Sequence, residues 1–121
     1  MIGTPFLPSF NNTLLFLEDV NEPAYRVDRM LSHLSNASLL SRCSAILFGQ
    51  FSGEQEKTGD DERMKRVFEY YSMLNNHAAT LSGLSYGHIQ DLMTIPVGAR
   101  FKLTVSPTGT FSLGALEPVI R

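Results

Sequence analysis

The stretch that decides the fold is "TLLFLEDVNEPAYRVDRMLSHL", residues 13–34, where two hydrophobic patterns follow one another. Residues 13–18 are a continuous, largely apolar run that ends in Glu18. A run without alternation is typical of a strand that is covered on both faces. From Ala24 onward the apolar residues recur at helical spacing, with charged residues between them. We therefore predict a buried strand that leads through a turn into an amphipathic helix.

The turn that joins these two elements contains residues that favour the start of a helix. Asn21 is expected to be the N-cap, and Glu22 and Pro23 suit the first helical turn. The helix is predicted over residues 24–34. Its apolar face is expected to comprise Tyr25, Met30, Leu31 and Leu34, with Val27 beside them.

A second strand and a second helix follow. "SAILFGQF", residues 44–51, is another apolar run, a polar loop is predicted at residues 52–61, and residues 62–75 have the spacing of an amphipathic helix. Asp60 or Asp61 is expected to cap that helix. Strand, helix, strand and helix in this order indicate a βαβ unit with parallel strands.

The last third of the chain has a different pattern. "ARFKLTVSPTGTFSLGAL", residues 99–116, consists of two alternating segments around a Ser-Pro-Thr-Gly turn, which predicts a β-hairpin. Phe101, Leu103 and Val105 are expected to share one face of this hairpin. Together with the first part of the chain, these elements predict a mixed α/β domain.

The composition limits the partners of the protein. The chain has 121 residues, which fits one domain, and a formal net charge of -2, which does not favour nucleic acid or an anionic membrane. No apolar stretch approaches the roughly 20 residues of a membrane span. The first residues lack the features of a secretion signal, so we expect a cytoplasmic location. Cys43 is the single cysteine, so a buried thiol and no intrachain disulfide are expected.

Residues 83–88, "GLSYGH", contain the G-x-S-x-G pattern of a nucleophile elbow, with Ser85 in the serine position. An elbow serine lies between a buried strand and a helix, and the acid and the histidine follow it later in the chain. Here the preceding residues make a weak strand, Pro96 leaves little room for a helix, and no histidine follows His88. We therefore interpret Ser85 as incidental.

The residues themselves leave two interpretations of Glu18 and His88 open. Glu18 ends a buried strand, and sites in open parallel sheets form at the carboxyl ends of the strands. A carboxylate is costly to bury unless it is paired, and a carboxylate that orients an imidazole is part of a serine-hydrolase triad. Alternatively, Glu18 or Asp19 caps the next helix and His88 is structural. The other histidines, His33 and His77, are expected to be surface or capping residues.

Three blocks of the chain resemble a known family. "GTPFLPSFNNTLLFLEDVNEPAYRVDRML", "ILFGQF" and "GLSYGHIQDLMTIPVGARFKL" look like successive segments of the C-terminal domain of the LD-carboxypeptidases. This serine peptidase family also contains the microcin C immunity peptidases. The combination of "LEDVNEPAYRVDRM" with "GLSYGH" is specific, and the resemblance covers nearly the whole chain. It implies a swivelling β/β/α-type domain, a small mixed sheet with helices packed on it.

The resemblance also implies an activity. The family removes the terminal D-alanine from murein tetrapeptides in peptidoglycan recycling, with a Ser-His-Glu triad and without a metal or another cofactor. Carried over to this sequence, the glutamate of "LED" is Glu18, which would orient and charge-stabilise the imidazole. The histidine of the "GH" pair is His88, which would act as general base and then as general acid.

In this family, the nucleophilic serine and the oxyanion-hole amides belong to an N-terminal domain for which the chain has no matching block. We therefore expect residues 1–12 to be an interdomain linker and residues 13–121 to be the C-terminal domain, inactive alone. Its expected partners are the N-terminal domain and a murein tetrapeptide, with a microcin-type conjugate as the alternative substrate. A homodimer is compatible with a domain that exposes an apolar face.

Two further hypotheses come from other functional classes. In one, the chain is a stand-alone binding or regulatory module that has this fold without catalysis. In the other, it is an independent small hydrolase that uses Ser85 as its nucleophile. Labelling of Ser85 by a phosphonate would support the latter.

Overall fold

The computed structural model of the chain describes residues 1–51, 60–75, 78–87 and 90–117. Five strands and two α-helices are found in these residues, and a short 3-10 helix spans Leu40–Arg42. In chain order the elements are β1 (Leu14–Leu17), α1 (Ala24–Asn36), β2 (Ala45–Phe48), α2 (Asp60–Leu74), β3 (Ala79–Leu81), β4 (Phe101–Val105) and β5 (Phe111–Ala115). The predicted α/β class is confirmed. Most of the polar loop predicted at residues 52–61 lies outside the described residues.

A parallel three-stranded sheet, in the order β1-β2-β3, forms the first part of the fold. The predicted βαβ unit with parallel pairing is thus present. Strand β2 lies in the middle, and its residues Ile46, Leu47 and Phe48 are each 0% exposed. A middle strand with both faces covered explains why this segment is apolar without alternation.

Helices α1 and α2 pack together against one face of this sheet, where Phe48 of β2 and Phe68 of α2 stack with their ring centroids 3.9 Å apart. The buried residues of α1 are Ala24, Val27 and Leu31. The apolar face predicted for α1 is therefore partly wrong, since Tyr25 is 70% and Met30 42% exposed. Spacings of three and four residues from Ala24 lead to Val27 and Leu31, and they leave Tyr25 to the side.

The predicted cap of α1 is also wrong. Pro23 occupies the N-cap position of α1 with no side-chain hydrogen bond, whereas Asn21 lies in the preceding turn with a φ of 58°. Asn21 therefore provides the left-handed turn conformation that asparagine tolerates, and it does not cap the helix. Helix α2 begins at Asp60, and the residue before it lies outside the described residues, so the cap predicted for this helix stays a prediction.

Strands β4 and β5 form the predicted antiparallel hairpin, with Leu103 paired to Leu113 and the turn closed by the Gly109 N–H, which donates to the Ser106 carbonyl at 3.0 Å. This hairpin is a separate two-stranded sheet, so the described strands divide between two sheets. At the turn end of the hairpin, Val105 and Phe111 are 42% and 41% exposed. In the described part of the chain, no helix is long and apolar enough to cross a membrane.

Candidate functional site

Glu18 is the first residue after β1, at the carboxyl end of the parallel sheet. It is half-buried, and the chain beyond it continues to follow the middle strand, since the Asp19 N–H donates to the Gln50 carbonyl at 3.4 Å. Pro23 holds the N-cap position of α1, its side chain makes no cap hydrogen bond, and the helix begins at Ala24. The Asp19 carboxylate instead accepts the Val20 N–H at 2.8 Å. The alternative role of Glu18 at the start of α1 stays a prediction, beside its pairing with His88.

The segment after β3 lies along the other side of the same strand end. The Leu84 N–H donates to the Phe48 carbonyl at 3.3 Å, and the Gln50 N–H donates to the Tyr86 carbonyl at 2.7 Å. Leu84 is 2% exposed, so a buried side chain anchors this segment. The Tyr86 ring meets the Phe16 ring edge to face, with centroids 5.7 Å apart. The end of β2 therefore lies between Glu18 and residues 84–87.

Glu18 and Gly87 come into direct proximity at this edge. A methyl group built on Gly87 would lie 3.3 Å from Glu18 Oε2 and 3.1 Å from the Gln50 carbonyl oxygen. Gly87 also has a backbone φ of +119°, a conformation that residues other than glycine rarely adopt. The Glu18 carboxylate thus lies against the backbone of the residue that directly precedes His88. His88 itself is outside the described residues, and its pairing with Glu18 stays a prediction.

Ser85 does not lie on a nucleophile elbow. It is an exposed residue beyond the end of β3, and its carbonyl accepts the Met93 N–H at 2.8 Å. Within the described residues 90–100 no helix follows it. An elbow requires a strand and a helix directly on either side of the serine, and this geometry supports the interpretation of Ser85 as incidental.

Two further candidate residues, His33 and Cys43, lie elsewhere in the fold. His33 is exposed in the last turn of α1, as predicted, and His77 lies outside the described residues. Cys43 is 5% exposed, accepts the Thr13 hydroxyl at 3.6 Å and donates to the Leu39 carbonyl at 3.5 Å. Burial raises the pKa of the Cys43 thiol more than the hydrogen bond from Thr13 lowers it. The predicted buried thiol is confirmed, and it is a poor nucleophile.

An open cleft of about 670 Å³ begins at Glu18. Its wall combines polar groups with apolar side chains, contributed by Glu18, Tyr86, Gly87, Gln90 and residues 92–95. Such a mixture suits a ligand that has both polar and apolar parts. Among the described residues, no group of three or more histidine, cysteine or acidic side chains could hold a metal ion.

Sequence reasoning singled out Glu18 from its place at the end of a buried strand, but it did not single out Gly49, Gln50 and Tyr86, which lie at the same end of the sheet. These three residues stand inside the quoted segments "ILFGQF" and "GLSYGH". The signal that was available is the glycine directly after a buried strand, which often marks a close approach of two backbone segments.

Comparison with known families gives one match that covers most of the chain. A family model described as the LD-carboxypeptidase C-terminal domain matches residues 1–103. The match includes Glu18, the end of β2, and the segment that contains His88.

Individual proteins give a similar result. The chain is 30% identical to the "Probable murein peptide carboxypeptidase" of Bacillus subtilis (strain 168), over 99% of this chain and 38% of that protein. The crystal structure of a muramoyltetrapeptide carboxypeptidase from Oxalobacter formigenes superposes with a TM-score of 0.80 at 31% identity, over 95% of this chain and 40% of that one. The microcin C7 self-immunity protein superposes with a TM-score of 0.59 at 25% identity, over 80% of this chain and 29% of that protein. The chain therefore spans well under half the length of these relatives.

Proposed function

The chain belongs to the family of LD-carboxypeptidase C-terminal domains, and from this we propose that it is part of a serine-type carboxypeptidase that acts on murein peptides. The resemblance noted in the sequence is thereby confirmed at the level of the family. The observation that carries the proposal is the proximity of the Glu18 carboxylate to Gly87, the residue before His88: a methyl group built on Gly87 would lie 3.3 Å from Glu18 Oε2.

We propose that the remainder of the enzyme lies in a preceding domain, joined through residues 1–12 to the domain of residues 13–121. The support is the length of the relatives, of which this chain covers 38% and 40%. That domain would supply the nucleophilic serine and the oxyanion-hole amides. Because the chemistry depends on both, the chain alone is expected to have no activity.

In the proposed reaction, Glu18 and His88 act on the serine of the other domain. His88 removes the proton of the serine hydroxyl while the serine oxygen attacks the carbonyl carbon of the scissile amide. The tetrahedral intermediate collapses, the C–N bond breaks, and His88 passes the proton to the amine of the departing D-alanine. Water then hydrolyses the acyl-enzyme by the same route. Glu18 orients the imidazole and stabilises its positive charge.

The proposed substrate is a murein tetrapeptide, from which the terminal D-alanine is released. The names of the Bacillus and Oxalobacter relatives support this class, and the cleft beside Glu18 provides polar and apolar groups for a peptide. The absence of tryptophan from the chain favours the murein substrate mildly over a microcin-type conjugate. A role in peptidoglycan recycling in the cytoplasm belongs to the same proposal.

The test is an assay of D-alanine release from a murein tetrapeptide. The longer protein encoded by the gene is compared with the 121-residue chain and with a His88→Ala variant of the longer protein. We expect release by the longer protein, none by the chain alone, and a kcat reduced by about 10³- to 10⁴-fold in the variant. A gene that encodes no preceding domain would contradict the proposal and favour a binding module. Labelling of the isolated chain at Ser85 by a phosphonate would favour a separate hydrolase.

A further inference from the structure

We propose that Gly49 and Gln50 are the positioning residues of this site, which hold residues 84–87, the segment that leads into His88, close to Glu18. This inference rests on the proposed function, because it assumes that Glu18 and His88 work as a pair. It adds two residues that touch no reacting atom and that act through the placement of others.

Gly49 and Gln50 directly follow the middle strand β2 and bond to the chain on both sides. On the β1 side, the Gly49 N–H donates to the Leu17 carbonyl at 2.9 Å, and the Gln50 carbonyl accepts the Asp19 N–H at 3.4 Å. Leu17 and Asp19 are the neighbours of Glu18 in sequence. These two residues therefore fix the backbone on either side of the carboxylate.

On the β3 side, the same residues hold the second segment. The Gln50 N–H donates to the Tyr86 carbonyl at 2.7 Å, and Gln50 Nε2 donates to the Leu84 carbonyl at 3.5 Å. Two hydrogen bonds from one residue thus fix the segment at alternate positions. Because Gln50 bonds both to Asp19 and to residues 84–86, it sets the distance between the two halves of the proposed pair.

Position 49 requires a glycine because Tyr86 leaves no room for a side chain there. A side-chain methyl group at this position would overlap the Tyr86 carbonyl oxygen and would lie 3.2 Å from Cδ1 of the Tyr86 ring. The glycine does not have a positive φ, so alanine could adopt the same backbone conformation but would push Tyr86 away. The next residue, Gly87, would move with Tyr86, away from Glu18. A misplacement of about 1 Å is enough to cost roughly 10²-fold in rate.

The chain contains a matched control. Gly114, in β5, also lacks a positive φ, and a methyl group built on it meets no atom within 4 Å. Gly49→Ala and Gly114→Ala are therefore the same chemical change, and only the first creates an overlap. Any effect that both variants share belongs to the general cost or gain of replacing a glycine without a positive φ by alanine.

The experiment is an NMR titration of the His88 imidazole in the 121-residue chain, with labelled histidine and with His88→Asn to assign the signal. A carboxylate beside an imidazole favours its charged form, so Glu18→Gln should move the midpoint to lower pH by about one unit. Asp91→Asn is measured too, because Asp91 is another acid close to His88 in sequence. We expect Gly49→Ala to move the midpoint in the same direction as Glu18→Gln, and Gly114→Ala to leave it unchanged.

The outcomes separate the two proposals. If Glu18→Gln moves the midpoint and Gly49→Ala does not, the pair stands and the positioning role is overturned. If Glu18→Gln moves nothing, the pair itself is absent, and both proposals fail. A merely structural role for Gly49 would lower the stability of the fold without moving the midpoint in the folded fraction.

A second variant covers the case in which Gly49→Ala fails to fold. Gln50→Ala removes the bond from Nε2 to the Leu84 carbonyl and introduces no overlap. A smaller movement of the midpoint in the same direction is expected. A folded Gln50→Ala with an unchanged midpoint would then overturn the positioning role.

Discussion

Burial determines the chemistry of Cys43 at the scale of the single residue. The thiol is 5% exposed, and desolvation raises its pKa above the ordinary value. The neutral thiol is thus favoured in the folded protein relative to the unfolded chain. A raised pKa in the folded state contributes stability that is complete below the unfolded pKa, and this contribution is lost as the pH rises toward the folded value.

This linkage predicts how the stability of a Cys43→Ala variant compares with that of the wild type. The difference in the free energy of unfolding should be constant at neutral pH and should shrink above about pH 8.5, where the thiol of the unfolded chain ionises. Urea denaturation of both proteins between pH 7 and pH 10 measures this difference in the free energy of unfolding. A difference that stays constant over this range would show that the Cys43 thiol titrates as it does in the unfolded chain.

At the scale of the elements, one hydrogen-bonded side chain links the two helices. The Tyr71 hydroxyl of α2 donates to α1, where both the Asp28 carbonyl and the Asp28 carboxylate lie 3.0 Å away. Tyr71 is 3% exposed, and burial followed by the contact with Asp28 raises the pKa of its phenol. The neighbouring Tyr70 is 52% exposed and lies edge to face with Tyr71.

Tyr71→Phe should therefore lower the free energy of unfolding by about 1 kcal/mol, since it removes a partly buried hydrogen bond but keeps the ring. Tyr70→Phe removes the same hydroxyl from an exposed ring and should change the stability by less than about 0.5 kcal/mol. Chemical denaturation of both variants checks this. Equal effects of the two substitutions would mean that the link to Asp28 contributes nothing to helix packing.

The elements were predictable from the sequence where pattern and local chemistry agree. The apolar runs that contain β1 and β2, the helical spacing of α1, and the turn at Gly109 are each visible as a pattern within a few residues of sequence. The buried face of α1 was predicted less well, because Tyr25 and Met30 are apolar enough to be taken for core residues. Asn21 suits both a cap and a left-handed turn, and the structure uses the second property.

At the scale of the whole molecule, the candidate site is assembled from segments that are distant in sequence. Glu18 follows β1, Gln50 follows β2, and Gly87 lies beyond β3, so the parallel order of the sheet brings all three to one edge. The position of Glu18 was predictable from the end of its strand. The approach of Gly49 to Tyr86 was not, because it depends on the path of two loops that no local pattern specifies.

The central claim is the proposal that Glu18, and not merely an acid in this turn, supports catalysis in the proposed two-domain enzyme. Asp19 provides the matched control, because it is the adjacent acid and its carboxylate bonds to its own turn, at the Val20 N–H. The measurement is the kcat for D-alanine release by the Glu18→Gln and Asp19→Asn variants. We predict a loss of about 10³- to 10⁴-fold for Glu18→Gln, and a kcat within about threefold of the wild type for Asp19→Asn. Near-normal turnover by Glu18→Gln, or equal losses in the two variants, would contradict the assignment of Glu18.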